Sequence, residues 1–533
     1  MQTYRIVTLG CKVNQAESEA LGQALQGAGR QPASDREPAD LCVVNTCAVT
    51  QRAAMQSRQA LRRVIHENPG ACVVATGCYA QTDPDALAAI AGLDHIVGRA
   101  GKAGLAELAC SGQLGKCGRP RRMLSHPAGA ETAFAAAPPA LSESRTRPFL
   151  KIQDGCSAFC AYCIVPYARG PSRSLPVRHA LESISALSAA GVHEVVLTGI
   201  HLGCYGRDLD PPTSLLALLQ VIRDLPGAIR VRLSSIEPLE LSAEILELVA
   251  ASGRFCRHLH VPLQSGDSPT LARMGRPYSA EMFAGLVEKI HRFMPDAAIG
   301  TDLLVGFPGE SAAAFEATCA LIERLPLSYL HVFPFSAREG TAAFELPDRV
   351  PAETIKRRCH RLRQIGHEKR RRFYRAFIGE RLKVVVETRR DPESGLLKAV
   401  SSNYLPILFA GPDELKNSLV EVRVDQEDAA GALQRQPGRR EDQLQRELQA
   451  LFERVRAHGG LQQFRQNLLR LKVTTDLVRR GLAVADVAHV GAEAGYARNA
   501  DACDGNLDGE LVSVAMQAGQ LDAPADQHRG AVA

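Results

Sequence analysis

Three cysteines within eight residues constrain this chain more than any other feature. Residues 154–170 read D-G-C-S-A-F-C-A-Y-C-I-V-P-Y-A-R-G, which sets Cys156, Cys160 and Cys163 at C-x3-C-x2-C spacing in one tight loop. Soft thiolates gathered this closely suit zinc or an iron–sulfur cluster. A structural zinc site is normally closed by four ligands, and the next Cys or His is His179. A cuboidal cluster on three thiolates leaves one iron open for substrate. A zinc knuckle or a disulfide is the alternative.

The 533 residues are too many for one core, so several domains are expected. Met1 to Lys12 reads as a strand, no apolar targeting segment follows a charged start, and no run approaches 18 apolar residues. A cytoplasmic protein without a membrane span is the expectation, and in that compartment clustered cysteines favour metal over disulfides.

Residues 1–105 alternate β-rich runs with helical stretches, the pattern of a Rossmann-like parallel α/β domain. The runs Tyr4–Leu9, Leu41–Asn45 and Ala71–Ala75 each lead into a cysteine: Cys11, Cys47 and Cys78. Ligands of open parallel sheets gather outside the carboxyl ends of strands, so these three can converge into a second three-thiolate site. Cys42 and Cys72, at strand starts, read as small core residues.

Residues 106–147 are rich in Ala, Gly, Pro, Arg and Ser and read as a linker with little regular structure. Its Cys110 and Cys117 have no Cys or His companion in the sequence, so they read as ordinary cysteines. In residues 148–350, six strand-like runs alternate with amphipathic helical stretches: Phe149–Gln153, Glu194–Thr198, Ile229–Leu233, His258–Val261, Ala298–Leu304 and Leu330–Phe333. Six β/α units predict a partial barrel with its chemistry on the strand-end tips. The cysteine loop is the first tip.

Residues 351–376 form a basic helical connector, and 377–424 a small β-barrel with strands at Leu382–Glu387, Asn403–Leu408 and Leu419–Val424. From Lys356 to Arg390 there are 14 Lys and Arg against 3 Asp and Glu, a local charge of +11 in a chain whose net charge is +5. A basic block in an otherwise slightly acidic protein suggests a polyanionic partner, and Arg381, Lys383, Arg389 and Arg390 are the candidates to grip a phosphate backbone. Residues 425–533 read as a helical, then disordered tail with no functional assignment.

The cysteine loop, with Tyr162 before its last cysteine, resembles the cluster loop of radical S-adenosylmethionine enzymes. That resemblance implies a 4Fe–4S cluster on Cys156, Cys160 and Cys163, with S-adenosylmethionine on the open iron. It also implies cofactor contacts from Tyr162, Thr198, Gly199, Ser234, Glu237 and Gly300. The domain order, with a C-terminal unit similar to the TRAM RNA-binding module, resembles the methylthiotransferase family over roughly residues 1–424. T-L-G-C-K-V-N at 8–14, K-I-Q-D-G-C at 151–156 and Y-C-I-V-P-Y-A-R-G at 162–170 look like its MtaB type. One departure is Ser157, where the family usually has Asn.

The family resemblance implies a transferase with two 4Fe–4S clusters. It would convert N6-threonylcarbamoyladenosine beside the tRNA anticodon to the 2-methylthio derivative, served by an electron donor and a sulfur donor. The loop cysteines would generate a radical and the N-terminal trio would handle sulfur. No protein acid or base is nominated, because an aromatic C2–H needs cofactor chemistry. The alternatives are action on a ribosomal protein or on isopentenyladenosine tRNA and, from another class, a non-catalytic iron–sulfur RNA-binding protein.

Overall fold

The computed structural model describes residues 2–34, 37–102, 104–123, 134, 145–427 and 433–434. The tail expectation from residue 435 on and the Ala-Pro stretch at 135–140 lie outside these residues. No described helix is long and apolar enough to cross a membrane.

The N-terminal unit is a parallel six-stranded sheet: β1 (Thr3–Thr8), β2 (Gln31–Pro32), β3 (Leu41–Thr46), β4 (Cys72–Gly77), β5 (His95–Val97) and β6 (Arg121–Met123). Their order is β2-β1-β3-β4-β5-β6. Strands β3 and β4 are buried along their whole length, as expected where helices cover both faces. The twofold alternation of a strand then makes two cores. Leu41, Val43, Cys72 and Val74 pack on one side, and Cys42, Val44, Val73 and Ala75 on the other. Cys42 and Cys72 are core residues, as expected, but of opposite faces.

Two N-terminal expectations need correction. The first strand ends at Thr8, and the helix Lys12–Gly27 begins directly after Cys11. The segment taken as linker from 106 carries the end of the helix Leu105–Cys110, and then β6. Leu105, Ala106, Ala109 and Leu114 are buried against Tyr4, Leu21 and Leu25, so tertiary packing recruits a segment whose small residues looked irregular. The fold also brings Cys117 Sγ to 3.6 Å from His95 Nε2, a companion invisible in the sequence.

The barrel strands are β7 (Phe149–Lys151), a hairpin of β8 (Gln153–Asp154) and β9 (Arg173–Ser174), β10 (Glu194–Thr198), β11 (Arg230–Leu233), β12 (His258–His260), β13 (Ala298–Val305) and β14 (Tyr329–Pro334). Six of them form two parallel three-stranded sheets, β11-β10-β7 and β12-β13-β14. A bridge between Val231 and Phe255 spans the seam, and one continuous core fills the unit.

The helix Ala352–Arg375 follows, burying Cys359, Leu362 and Ile365. Beyond it lies a six-stranded sheet of β15 (Arg381–Arg390), β16 (Leu397–Ser401), β17 (Pro406–Phe409), β18 (Leu419–Arg423), β19 (Gln426–Glu427) and β20 (Leu433–Gln434). The sequence reading missed β16 and ran Asn403–Leu408 as one strand. Tyr404, at φ 65°, instead turns the chain between β16 and β17.

Candidate active site

Strand register sets the N-terminal trio. Thr8 pairs with Asn45, and Thr46 with Gly77, so the strands end nearly level. Cys47 and Cys78 follow immediately, and Cys11 comes three residues after Thr8. Gly10 adopts φ 96°, and a Cβ there would stand 2.8 Å from Cys47 Sγ; only glycine lets the first cysteine's loop approach the second. Cys11 is exposed, whereas Cys47 and Cys78 are buried. Burial pushes the Cys47 thiol up to about 11 and raises that of Cys78, so these thiols need a metal's charge to ionise.

The Cys156 loop is pinned from several sides. Gly155 at φ 75° has no room for a side chain against Pro171. Cys156 N–H donates to Gly170 O, Cys163 N–H to Cys160 O, and Ala161 N–H to Met274 O. Gln153 Nε2 donates to the carbonyls of Asp154 and Gly155 and to Ser172 Oγ. Ser157 Oγ still accepts a bond from Ser172 N–H at 3.4 Å. Burial raises the Cys160 thiol and pushes Cys163 up to about 12. Among the described residues no three cysteine sulfurs lie within 4.8 Å of one another. Three sulfurs on one zinc at about 2.3 Å would stand closer than that, so neither trio is drawn together as a single-ion site.

Each trio faces a buried guanidinium. Arg169, 1 % exposed, comes from the short helix Val165–Arg169 after the cluster loop. It donates to Glu17, Asp154 and Asn14 at 3.0, 2.8 and 2.6 Å, and its charge acts on Cys78 and Cys11. Lys102, Lys151 and Arg99 complete this network. Arg276 pairs with Glu237 at 2.8 Å beside Tyr162 and Cys160. A buried cation next to three thiolates offsets the charge of an anionic cluster, so the donor sets fit the two groups expected.

Residues 3–98 match the model described as Uncharacterized protein family UPF0004, and residues 150–322 that of the Radical SAM superfamily. The chain is 35 % identical over 426 residues to the Threonylcarbamoyladenosine tRNA methylthiotransferase MtaB of Bacillus subtilis (strain 168), covering 80 % of this chain and 94 % of that protein. The chain belongs to the MtaB-type radical S-adenosylmethionine methylthiotransferases. It is also 31 % identical to the tRNA-2-methylthio-N(6)-dimethylallyladenosine synthase of Carboxydothermus hydrogenoformans, over 79 % of this chain and 96 % of that one. Among solved structures, the radical S-adenosylmethionine methyltransferase TsrM from Kitasatospora setae is similar at TM-score 0.46 and 16 % identity, covering 62 % of this chain and 75 % of that one.

In this methylthiotransferase Thr198 is buried at the end of β10, and Gly199 lies against Gln153, where a Cβ would stand 2.9 Å from that side chain. Ser234 is buried with its hydroxyl unpartnered. Gly300 lies within β13, paired with His260 and Tyr329. A Cβ there would collide with the Tyr329 ring, so this glycine seats an aromatic side chain.

His201, in the same T-G-I-H tip, was missed. Its Nδ1 lies 3.4 Å from Cys156 Sγ and its Nε2 3.0 Å from Glu240 Oε1. Burial opposes its charge, but Cys156, Cys204 and Glu240 outweigh that and raise its pKa. The only sequence signal was a histidine at a strand tip. In the C-terminal sheet Arg381 and Lys383 are exposed, with Arg381 3.4 Å from Glu421, and Arg389 is exposed. Arg390 instead holds Asp413 and the carbonyls of Gly395 and Gly411.

Proposed function

We propose that this methylthiotransferase acts on N6-threonylcarbamoyladenosine in tRNA, with one 4Fe–4S cluster held by Cys156, Cys160 and Cys163 and a second by Cys11, Cys47 and Cys78. The observation that carries this reading is the joining of the two trios by one buried network. Arg169 leaves the cluster loop, binds Asp154 two residues before Cys156, and meets Glu17 and Asn14 in the helix that starts after Cys11. When bound, the clusters and S-adenosylmethionine supply radical chemistry on an unactivated C–H position. The chain's own residues hold and orient. Gln153 fixes the loop, Arg276 and Glu237 flank Cys160, and Tyr162, Thr198, Gly199 and Ser234 line the same strand-end face. The C-terminal sheet is read as a TRAM-like RNA grip in which Arg381, Lys383 and Arg389 meet phosphate. An electron donor and a sulfur donor complete the cycle. The test is nucleoside analysis of tRNA from a deletion strain: 2-methylthio-N6-threonylcarbamoyladenosine should disappear and its unthiolated precursor accumulate. Persistence of the methylthio nucleoside would refute the reading.

A further inference from the structure

The barrel sheet β12-β13-β14 carries a cluster of metal-binding side chains that includes no cysteine. Its strands pair in parallel, with His260 of β12 opposite Gly300, and Asp302 of β13 opposite His331 of β14. Residues two apart in a strand share a face, which sets His260 diagonal to Asp302 and Asp302 level with His331. Their donor atoms converge. His260 Nε2 lies 3.1 Å and His331 Nδ1 3.2 Å from the same oxygen, Asp302 Oδ1, and the three atoms lie within 4.8 Å of one another. Ligand atoms held about 2.0–2.2 Å from one ion stand roughly 3.0–3.4 Å apart, in octahedral or tetrahedral geometry. Both measured edges fall in that range.

Two observations separate this cluster from a pair of ordinary histidine–carboxylate hydrogen bonds. His260 is 7 % exposed, and its Nε2, although close to the carboxylate, makes no hydrogen bond with a described residue. A ring nitrogen left bare in the interior is costly. A metal ligand shows this misalignment, because its lone pair points at the ion between the donors and not at the neighbouring ligand. The other ring nitrogen is already held, with Nδ1 2.7 Å from Ser235 Oγ. With Nδ1–H donating to that hydroxyl, Nε2 turns a lone pair toward the carboxylate. That contact is repulsive until a cation sits between them. A hydrogen bond on the far nitrogen is also what orients metal-binding histidines.

We infer that His260, Asp302 and His331 form a binding site for one divalent transition-metal ion, with Ser235 orienting His260. Two imidazoles and one carboxylate suit ions such as Fe2+, Mn2+ or Zn2+. The side chain of His331 is 54 % exposed and that of Asp302 23 %, so the site opens to solvent on one side. Three protein ligands leave coordination positions there for an oxygen-bearing ligand. The inference does not depend on which nucleoside the enzyme modifies.

The test uses full-length, RNA-free protein with its iron–sulfur clusters reconstituted under anaerobic conditions. Mn2+ is the probe, a hard ion that thiolates bind poorly, and the paramagnetic resonance signal of free Mn2+ reads what remains unbound. Wild type should bind one Mn2+ per chain. Ser235→Ala should weaken binding by about 10- to 100-fold, and His331→Ala or Asp302→Asn by at least as much. His331 is exposed enough that its loss leaves the barrel folded, which circular dichroism verifies. A wild type that binds no Mn2+ up to millimolar concentration overturns the inference, and so does a His331→Ala protein that binds Mn2+ like wild type.

Discussion

Glu194 is buried at the start of β10 and ties the barrel to the C-terminal sheet. Its carboxylate accepts from Arg230 Nε at 2.6 Å and from Arg232 Nε and Nη2 at 2.7 and 3.1 Å. The two guanidiniums continue to the far side, Arg230 to the carbonyls of Val400 and Lys383 and Arg232 to those of Ser401 and Ser402. Glu194→Gln keeps the shape and removes the charge, leaving two cations buried together.

The magnitude follows from the titration of the same group. Burial alone would raise the carboxyl pKa, but Arg232 and Arg230 overcome it and hold the group down to about 2. Against an ordinary value near 4.5, that shift corresponds to about 3 kcal/mol. It agrees with the ~3–5 kcal/mol typical of breaking a buried pair by removing one partner. A depressed carboxyl pKa contributes its stability in full above the unfolded value and loses it as pH falls through the folded one. Glu194→Gln should therefore be destabilised by about 3 kcal/mol at pH 7, with the gap to wild type narrowing from pH 4.5 toward pH 2.

The chain has no Trp, so urea unfolding followed by circular dichroism is the assay, with amide exchange in β15 and β16 locating the loosened region. A loss under 1 kcal/mol at pH 7, or a gap that stays constant down to pH 2, would refute the reasoning.

Gly300→Ala should cost about 1–3 kcal/mol, since the new methyl must displace the Tyr329 ring. A double-mutant cycle with Tyr329→Ala should recover part of that cost, and additivity would show that the ring is not what the methyl meets. Alanine at any of Cys156, Cys160 or Cys163 should abolish 5′-deoxyadenosine formation. Alanine at Cys11, Cys47 or Cys78 should spare some cleavage while stopping methylthiolation, and identical behaviour of the two sets would end their division of labour. Lys383→Ala should weaken tRNA binding across sequences and reduce the slope of log affinity against log salt by about one; an unchanged slope removes Lys383 from the RNA surface.

The loop of Cys156, Cys160 and Cys163 was legible because its three cysteines lie within eight residues, a spacing that turns alone can close. The parallel sheet was legible because apolar runs of strand length recur between helical patterns, and the rule that ligands gather at strand ends placed Cys11, Cys47 and Cys78 together. Other features depend on partners far apart in the chain, and only the tertiary structure decided them. Arg169 binds Glu17 across 152 residues, His201 reaches Cys156 across 45, and Arg232 grasps Ser401 O across 169. Gly300 read as a strand glycine beside the cofactor, and only the fold showed that Tyr329 fills the space of its missing side chain. Cys117 lacked a companion until sheet register brought up His95. Local spacing and the strand-end rule thus determined which cysteines could come together. Long-range packing determined which charges surround them.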